Sequence, residues 1–163
     1  NALGADVATF AASLADLEAE PGRGRRHVVA VPGGEAVLID DAYNANPASM
    51  RAAIEVLALA PGRKLAALGA MKELGADTLR LHAGLAAPLE AAAVALVFTA
   101  GDEMTALDAA LPAGLRGGHG DTAHDLAERV RAALQPGDTL LVKGSLASGM
   151  GALVTALLEG GRG

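Results

Sequence analysis

The chain has 163 residues, 52% hydrophobic and 20% charged, a balance that supports one packed core and excludes a disordered polymer. Aromatics are only 2% (Tyr43, Phe10 and Phe98), so Ala, Leu and Val must build that core, and stacked platforms for single-stranded nucleic acid are not expected. A net charge of −6 argues against nucleic acid or an anionic membrane as partner, and the lack of cysteine removes disulfides and thiolate metal sites.

Residues 6–17 place Val7, Phe10, Leu14 and Leu17 three and four apart, the spacing of an amphipathic helix, and Pro21-Gly22 stops it. The chain opens on Asn1 inside this pattern, with no signal segment, and reads as a piece of a longer protein. In that reading residues 1–20 close a preceding domain, residues 21–26 form the hinge, and 21–163 make the next domain. A basic cluster of Arg23, Arg25, Arg26 and His27 leads into two β-prone runs, 27–31 and 35–39, joined by Pro32-Gly33-Gly34 as a hairpin.

Residues 47–60 form a helix with Asn46 as N-cap and Pro47 at its first position. A short apolar strand follows at 65–69, then a helix over 76–93 that Pro88 should kink or split. The remaining elements are an apolar strand at 94–99, a helix at 103–111 and a Gly-rich turn at 112–120 with room for one short strand. A helix at 122–134, a strand at 139–142 and a last helix at 147–158 complete the chain. The longest apolar run, near residues 91–98, is far below the roughly 18 residues that span a bilayer.

Strands apolar throughout, each followed by a helix, imply a parallel sheet covered on both faces. The fold class is α/β, a Rossmann-like doubly wound sheet, mostly parallel with an antiparallel edge hairpin.

Ligands of such sheets bind beyond the carboxyl ends of the strands. There the loop 40–47 (Asp-Asp-Ala-Tyr-Asn-Ala-Asn-Pro) sets two carboxylates, two amides and a phenol ahead of a helix N-terminus. Asp can accept from ribose hydroxyls, Asn can read a base edge, and a helix start favours anions. The competing reading is a helix cap with solvated acids. Lys143-Gly144-Ser145 joins an ammonium, a glycine and a hydroxyl where a carboxylate could dock, although a surface lysine is the commoner explanation. Arg23 also suits a solvated basic face, and His82 a packed or exposed histidine.

The G-x-x-x-x-G-K-[ST] and G-x-G-x-x-G phosphate motifs and a G-x-S-x-G elbow are absent. His27, His82, His119 and His124 lack metal-ligand spacing, and Gly117-Gly118-His119-Gly120 reads as a flexible turn. The chain can help bind a nucleotide but lacks the usual equipment to activate its phosphates alone.

The run Asp40 to Met50 resembles the signature loop of the Mur ligase family of bacterial cell-wall synthesis. Within it the likeness is to the branch that adds D-alanyl-D-alanine to UDP-N-acetylmuramoyl-tripeptide. Pro21-Gly22-Arg23, the run Leu68 to Gly75 with His82 following, and Leu141 to Ser145 match in order and spacing, from about Ala5 to Leu158. The resemblance implies the C-terminal of three domains, inactive alone, in an enzyme that uses ATP and Mg2+ to form an acyl phosphate, which the dipeptide amine then attacks. The phosphate loop and most magnesium ligands would lie in the central domain. This chain would close as a lid that excludes water from the acyl phosphate.

By the same resemblance Arg23, Asp41, Tyr43, Asn44 and Asn46 would contact ATP, with Asp41 on the ribose. Lys143, Gly144 and Ser145, with Gly101 of the 100–103 loop, would line the acceptor dipeptide. No catalytic residue and no metal ligand is expected within the chain. The implied partners are ATP, D-alanyl-D-alanine, UDP-N-acetylmuramoyl-tripeptide and the other two domains, in a bacterial cytoplasm without nucleic acid or membrane. Two departures stand out: Ala70 replaces a common Asp, and residues 146–150 (Leu-Ala-Ser-Gly-Met) lack the Arg that usually follows Lys-Gly-Ser. A folylpolyglutamate-type ligase would favour Asp-Gly-Ala-His, against which Tyr43-Asn44 speaks. A non-catalytic Rossmann-like binding module is the alternative of a different class.

Overall fold

The computed structural model describes residues 20–160, so the helix expected at 6–17 lies outside the described residues. Strands β1 (Arg25–Val31) and β2 (Gly34–Asp41) form the antiparallel hairpin. Strands β3 (Lys64–Gly69), β4 (Leu96–Ala100), β5 (Arg116–Gly120) and β6 (Thr139–Lys143) run parallel to β2 in one sheet. The spatial order is β1-β2-β6-β3-β4-β5, which puts the hairpin at the edge as expected. The helices are α1 (Pro47–Ala58), α2 (Thr78–Ala83), α3 (Ala86–Ala91), α4 (Thr105–Ala110), α5 (Ala127–Ala133) and α6 (Met150–Glu159).

Strand side chains alternate between the faces, and here both faces are covered. Leu38, Leu65, Phe98 and Leu140 pack with Val130 of α5 and Leu153 of α6. Their chain neighbours Ile39, Ala66, Val97 and Leu141 pack on the other face with Ile54 of α1, Leu89 of α3 and Leu107 of α4. This two-sided burial is why β3, β4 and β6 read as continuous apolar runs.

One expectation is borne out and one is corrected. The helix read over 76–93 is split, as Pro88 leads us to expect, into α2 and α3. The break falls at Gly84, four residues before Pro88, where the proline ring would clash with a helical carbonyl. The Gly-Gly-His-Gly segment is not a flexible turn but strand β5, paired with β4, and Thr99 Oγ1 lies 2.9 Å from His119 Nδ1.

Helix α3 ends with Ala93 at φ +53°. Ala93 N–H donates to Glu90 O and Val94 N–H to Leu89 O, the pair of bonds that normally surrounds a left-handed glycine. Ala93 is exposed. Ala93→Gly should therefore stabilise the chain by ~0.5–1 kcal/mol, which calorimetry would record as a Tm rise of about 1–4 °C.

At the amino ends of β3 and β6, Arg63 Nε and Nη2 donate to Asp138 Oδ1 and Oδ2 at 3.0 and 2.7 Å. Buried Asp138 also accepts from Gln135 N–H at 2.8 Å. Its hydrogen bonds hold the Arg63 guanidinium above its ordinary pKa. This clamp sits on the rim opposite the candidate site, so the carboxyl ends are left to chemistry.

Candidate functional site

Asp40 and Asp41 are adjacent in sequence and serve opposite faces. Asp40 is buried: its Oδ2 accepts from Gly22 N–H at 2.9 Å and its Oδ1 from Ala42 N–H at 3.2 Å. Gly24 N–H donates to Asp40 O, and Tyr43 N–H donates to Gly22 O. These bonds stitch residues 22–24 onto the first loop. Gly22 stands at φ +75°, and a Cβ there would lie 2.9 Å from Tyr43 Cβ, so only glycine permits this approach. His27 Nε2 lies 4.0 Å from Asp40 Oδ2, too far for a hydrogen bond.

Asp41 faces the α1 side. Its Oδ2 accepts from Lys143 Nζ at 2.7 Å, and the same ammonium donates to Asn44 O at 2.8 Å. The parallel register that sets Asp41 beside Lys143 makes this contact inevitable once both side chains point to one face. Lys143 is 2% exposed, whereas the Asp41 side chain is 25% exposed and open to the cleft.

That cleft has a volume of about 500 Å³, within the range that takes a nucleoside-sized ligand. Its polar rim holds Arg23, Asp41, Tyr43, Asn44, Asn46 and Lys143, and its apolar wall is Ile39, Leu141, Ala52, Ala53 and Val56. The Arg23 guanidinium lies 4.6 Å from the centroid of the half-exposed Tyr43 ring, a cation–π contact at the mouth. Asn46 is also the N-cap of α1: its side chain accepts from Ser49 N–H at 2.9 Å, and Ser49 Oγ accepts from Asn46 N–H at 3.0 Å. Capping and cleft lining thus coexist in one residue. The apolar wall escaped the sequence reading, since Ala52, Ala53 and Val56 look like ordinary helix surface. Strand alternation, applied to residues 38–41, could have separated the two aspartates.

The four residues expected at the acceptor do not form one group. Lys143 sits in the cleft with the five nucleotide candidates. Gly144 turns toward β3, where a Cβ would lie 2.3 Å from Ser148 Oγ and 3.2 Å from Gly69 Cα. Ser145 N–H donates to Ala70 O at 3.1 Å, and Ser145 Oγ is buried without a hydrogen-bond partner among the described residues. Gly101 follows β4, two strands from β6, roughly 10 Å across the sheet.

His82 is fully buried in a positioning contact: Nε2 accepts from Met71 N–H at 2.9 Å, while Nδ1 carries the proton toward Thr78 O at 2.8 Å. It anchors the loop after β3, from which Lys72 Nζ reaches Glu103 Oε1 at 2.5 Å. The lysine bond holds the Glu103 carboxyl below its ordinary pKa.

The donor set does not fit magnesium. Both Asp40 oxygens accept backbone N–H bonds, Asp41 faces an ammonium, and no group of three His, Cys, Asp or Glu could hold a metal among the described residues. A slightly larger cleft, about 560 Å³, lies at the far end of β1 between Val29, Pro32, Leu134 and Leu157. Its Arg131 is tied to Glu128 and Ala156 O, and it lacks the converging polar groups of the first. No described helix is long and apolar enough to cross a membrane.

Fold and site together define an α/β domain that presents a polar cleft at the carboxyl edge of a mostly parallel sheet. The chain belongs to the Mur ligase family: the family model described as "Mur ligase, glutamate ligase domain" matches residues 24–146. The UDP-N-acetylmuramoyl-tripeptide–D-alanyl-D-alanine ligase of Escherichia coli K12 is 36% identical over 160 residues, covering 98% of this chain and 34% of that protein. The ligase of the same name from Mycobacterium tuberculosis H37Rv is 36% identical over 178 residues, covering 95% and 34%.

Among solved structures, MurF ligase from Thermotoga maritima in complex with ADP aligns with a TM-score of 0.75 at 27% identity, covering 90% of this chain and 32% of that one. MurF from Acinetobacter baumannii aligns at 0.77 and 26%, covering 96% and 35%. The chain thus spans about a third of the length of the relatives it matches.

Proposed function

We propose that the chain is the C-terminal domain of an ATP-dependent ligase that joins D-alanyl-D-alanine to UDP-N-acetylmuramoyl-tripeptide in the cytoplasm of a bacterium. The observation that carries this reading is the convergence of Arg23, Asp41, Tyr43 and Asn44 on one cleft at the carboxyl edge. The ADP complex of the Thermotoga maritima relative supports a nucleotide as the occupant. In this reading Asp41 accepts from the ribose hydroxyls, Arg23 and Tyr43 frame the mouth, and Asn44 and Asn46 flank the nucleotide. Gly144, Ser145 and Gly101 border the acceptor dipeptide.

The tripeptide carboxylate attacks the γ-phosphorus of ATP and releases ADP. The dipeptide amine then attacks the acyl phosphate, and phosphate leaves. Phosphate activation and magnesium binding belong to the rest of the ligase, since this chain spans about a third of its relatives' length. Because residues 22–24 are fastened to the first loop, the pivot for closure falls at or before Pro21. Closure brings the cleft over the acyl phosphate and excludes water.

The test compares the chain alone with the full-length protein. The chain alone should bind ADP weakly and hydrolyse no ATP, whereas the full-length protein should form the peptide bond with ATP consumption. Hydrolysis by the chain alone, or a full-length protein that consumes no ATP with these substrates, would overturn the reading.

A further inference from the structure

We infer that Lys143 is a positioning residue for the nucleotide, acting through Asp41, and not a contact of the acceptor dipeptide. The inference rests on the reading that the cleft takes an adenine nucleotide. The first ground is direction. Alternation along β6 sends Val142 to the α5–α6 core and Lys143 to the α1 side, into the cleft, while Ser145 N–H bonds back to Ala70 O. The three residues of Lys-Gly-Ser therefore part company at the strand end.

The second ground is what the ammonium holds. It donates to Asp41 Oδ2 at 2.7 Å and to Asn44 O at 2.8 Å, fixing one carboxylate rotamer and the backbone just after Tyr43. Asp41 Oδ1 makes no hydrogen bond among the described residues, and the side chain is a quarter exposed where it lines the cleft. The third ground is charge. A bare carboxylate beside a polyphosphate is repulsive at close range, and the adjoining ammonium cancels that field while leaving lone pairs to accept hydroxyl protons. At 2% exposure Lys143 has little surface left for the dipeptide carboxylate.

Steady-state kinetics of the full-length ligase test this. Lys143→Met should raise KM for ATP about tenfold or more, with KM for D-alanyl-D-alanine within about twofold of wild type. A rise in the dipeptide KM with the ATP KM unchanged would overturn the inference and return Lys143 to the acceptor. In an Asp41→Ala background, adding Lys143→Met should change KM for ATP by less than about twofold, because the positioned group is already gone. A further large rise would mean direct contact with nucleotide and would also overturn it.

The double variant leaves no unpaired buried charge. If Lys143→Met alone does not fold, comparing Asp41→Ala with the double variant decides the question. A wild-type enzyme that ligates without any dependence on ATP would sink the cleft reading itself, a failure visible before any variant is compared.

Discussion

Asp41→Ala should weaken ADP binding to the full-length protein about 10- to 100-fold, measured by titration calorimetry. A carboxylate hydrogen bond is worth ~1.5–3 kcal/mol where it replaces water well, and each 1.4 kcal/mol is about tenfold in affinity. The variant also strands the Lys143 ammonium with Asn44 O as its remaining partner among the described residues, at a stability cost of ~1–3 kcal/mol. Binding must therefore be compared well below the variant's Tm. Glu35→Gln is the control, since this exposed residue of β2 lies at the strand's other end and does not line the cleft. Unchanged ADP affinity in Asp41→Ala would remove this side chain from the nucleotide site.

The second large effect is on stability. His82→Ala should cost ~3–5 kcal/mol, from a cavity at a fully buried position and from the Met71 N–H left without its acceptor. Thermal unfolding should fall by about 10 °C or more. The loss would show as a lower urea midpoint with an unchanged slope. A change below about 1 kcal/mol would mean that water or a neighbour replaces the imidazole, and that the loop carrying Lys72 is held some other way. His82, which reads in the sequence as a packed or exposed histidine, is packed and braces that loop.

Much of the fold is legible because its punctuation is strong. Pro32-Gly33 turns the hairpin as expected, Pro61-Gly62 and Pro136-Gly137 fall in the gaps between a helix and the strand after it, and the apolar runs match β3, β4 and β6. The ends are less legible. Short 3-10 turns at Asp102–Met104, His124–Leu126 and Leu146–Ser148 occupy the first turns of three predicted helices, so the α-helical spans start later. Strand β5 carries Arg116, three glycines and His119, none of them strand formers, and it is pairing with β4 that makes it a strand.

At the candidate site, the residue types were readable but their directions were not. Whether Lys143 meets Asp41 or the acceptor loop depends on which face β6 shows at its last residue. That is fixed by register with β2 across about a hundred residues of chain.

Tyr43 is the chain's single tyrosine, and there is no tryptophan. It stands half exposed beneath the Arg23 guanidinium at the entrance to the cleft. Tyrosine emission from this domain, taken by itself, therefore arises at one point of the molecule. A ligand that parts the ring from the guanidinium, or slides between them, changes the light of the whole chain without any dye or label being attached.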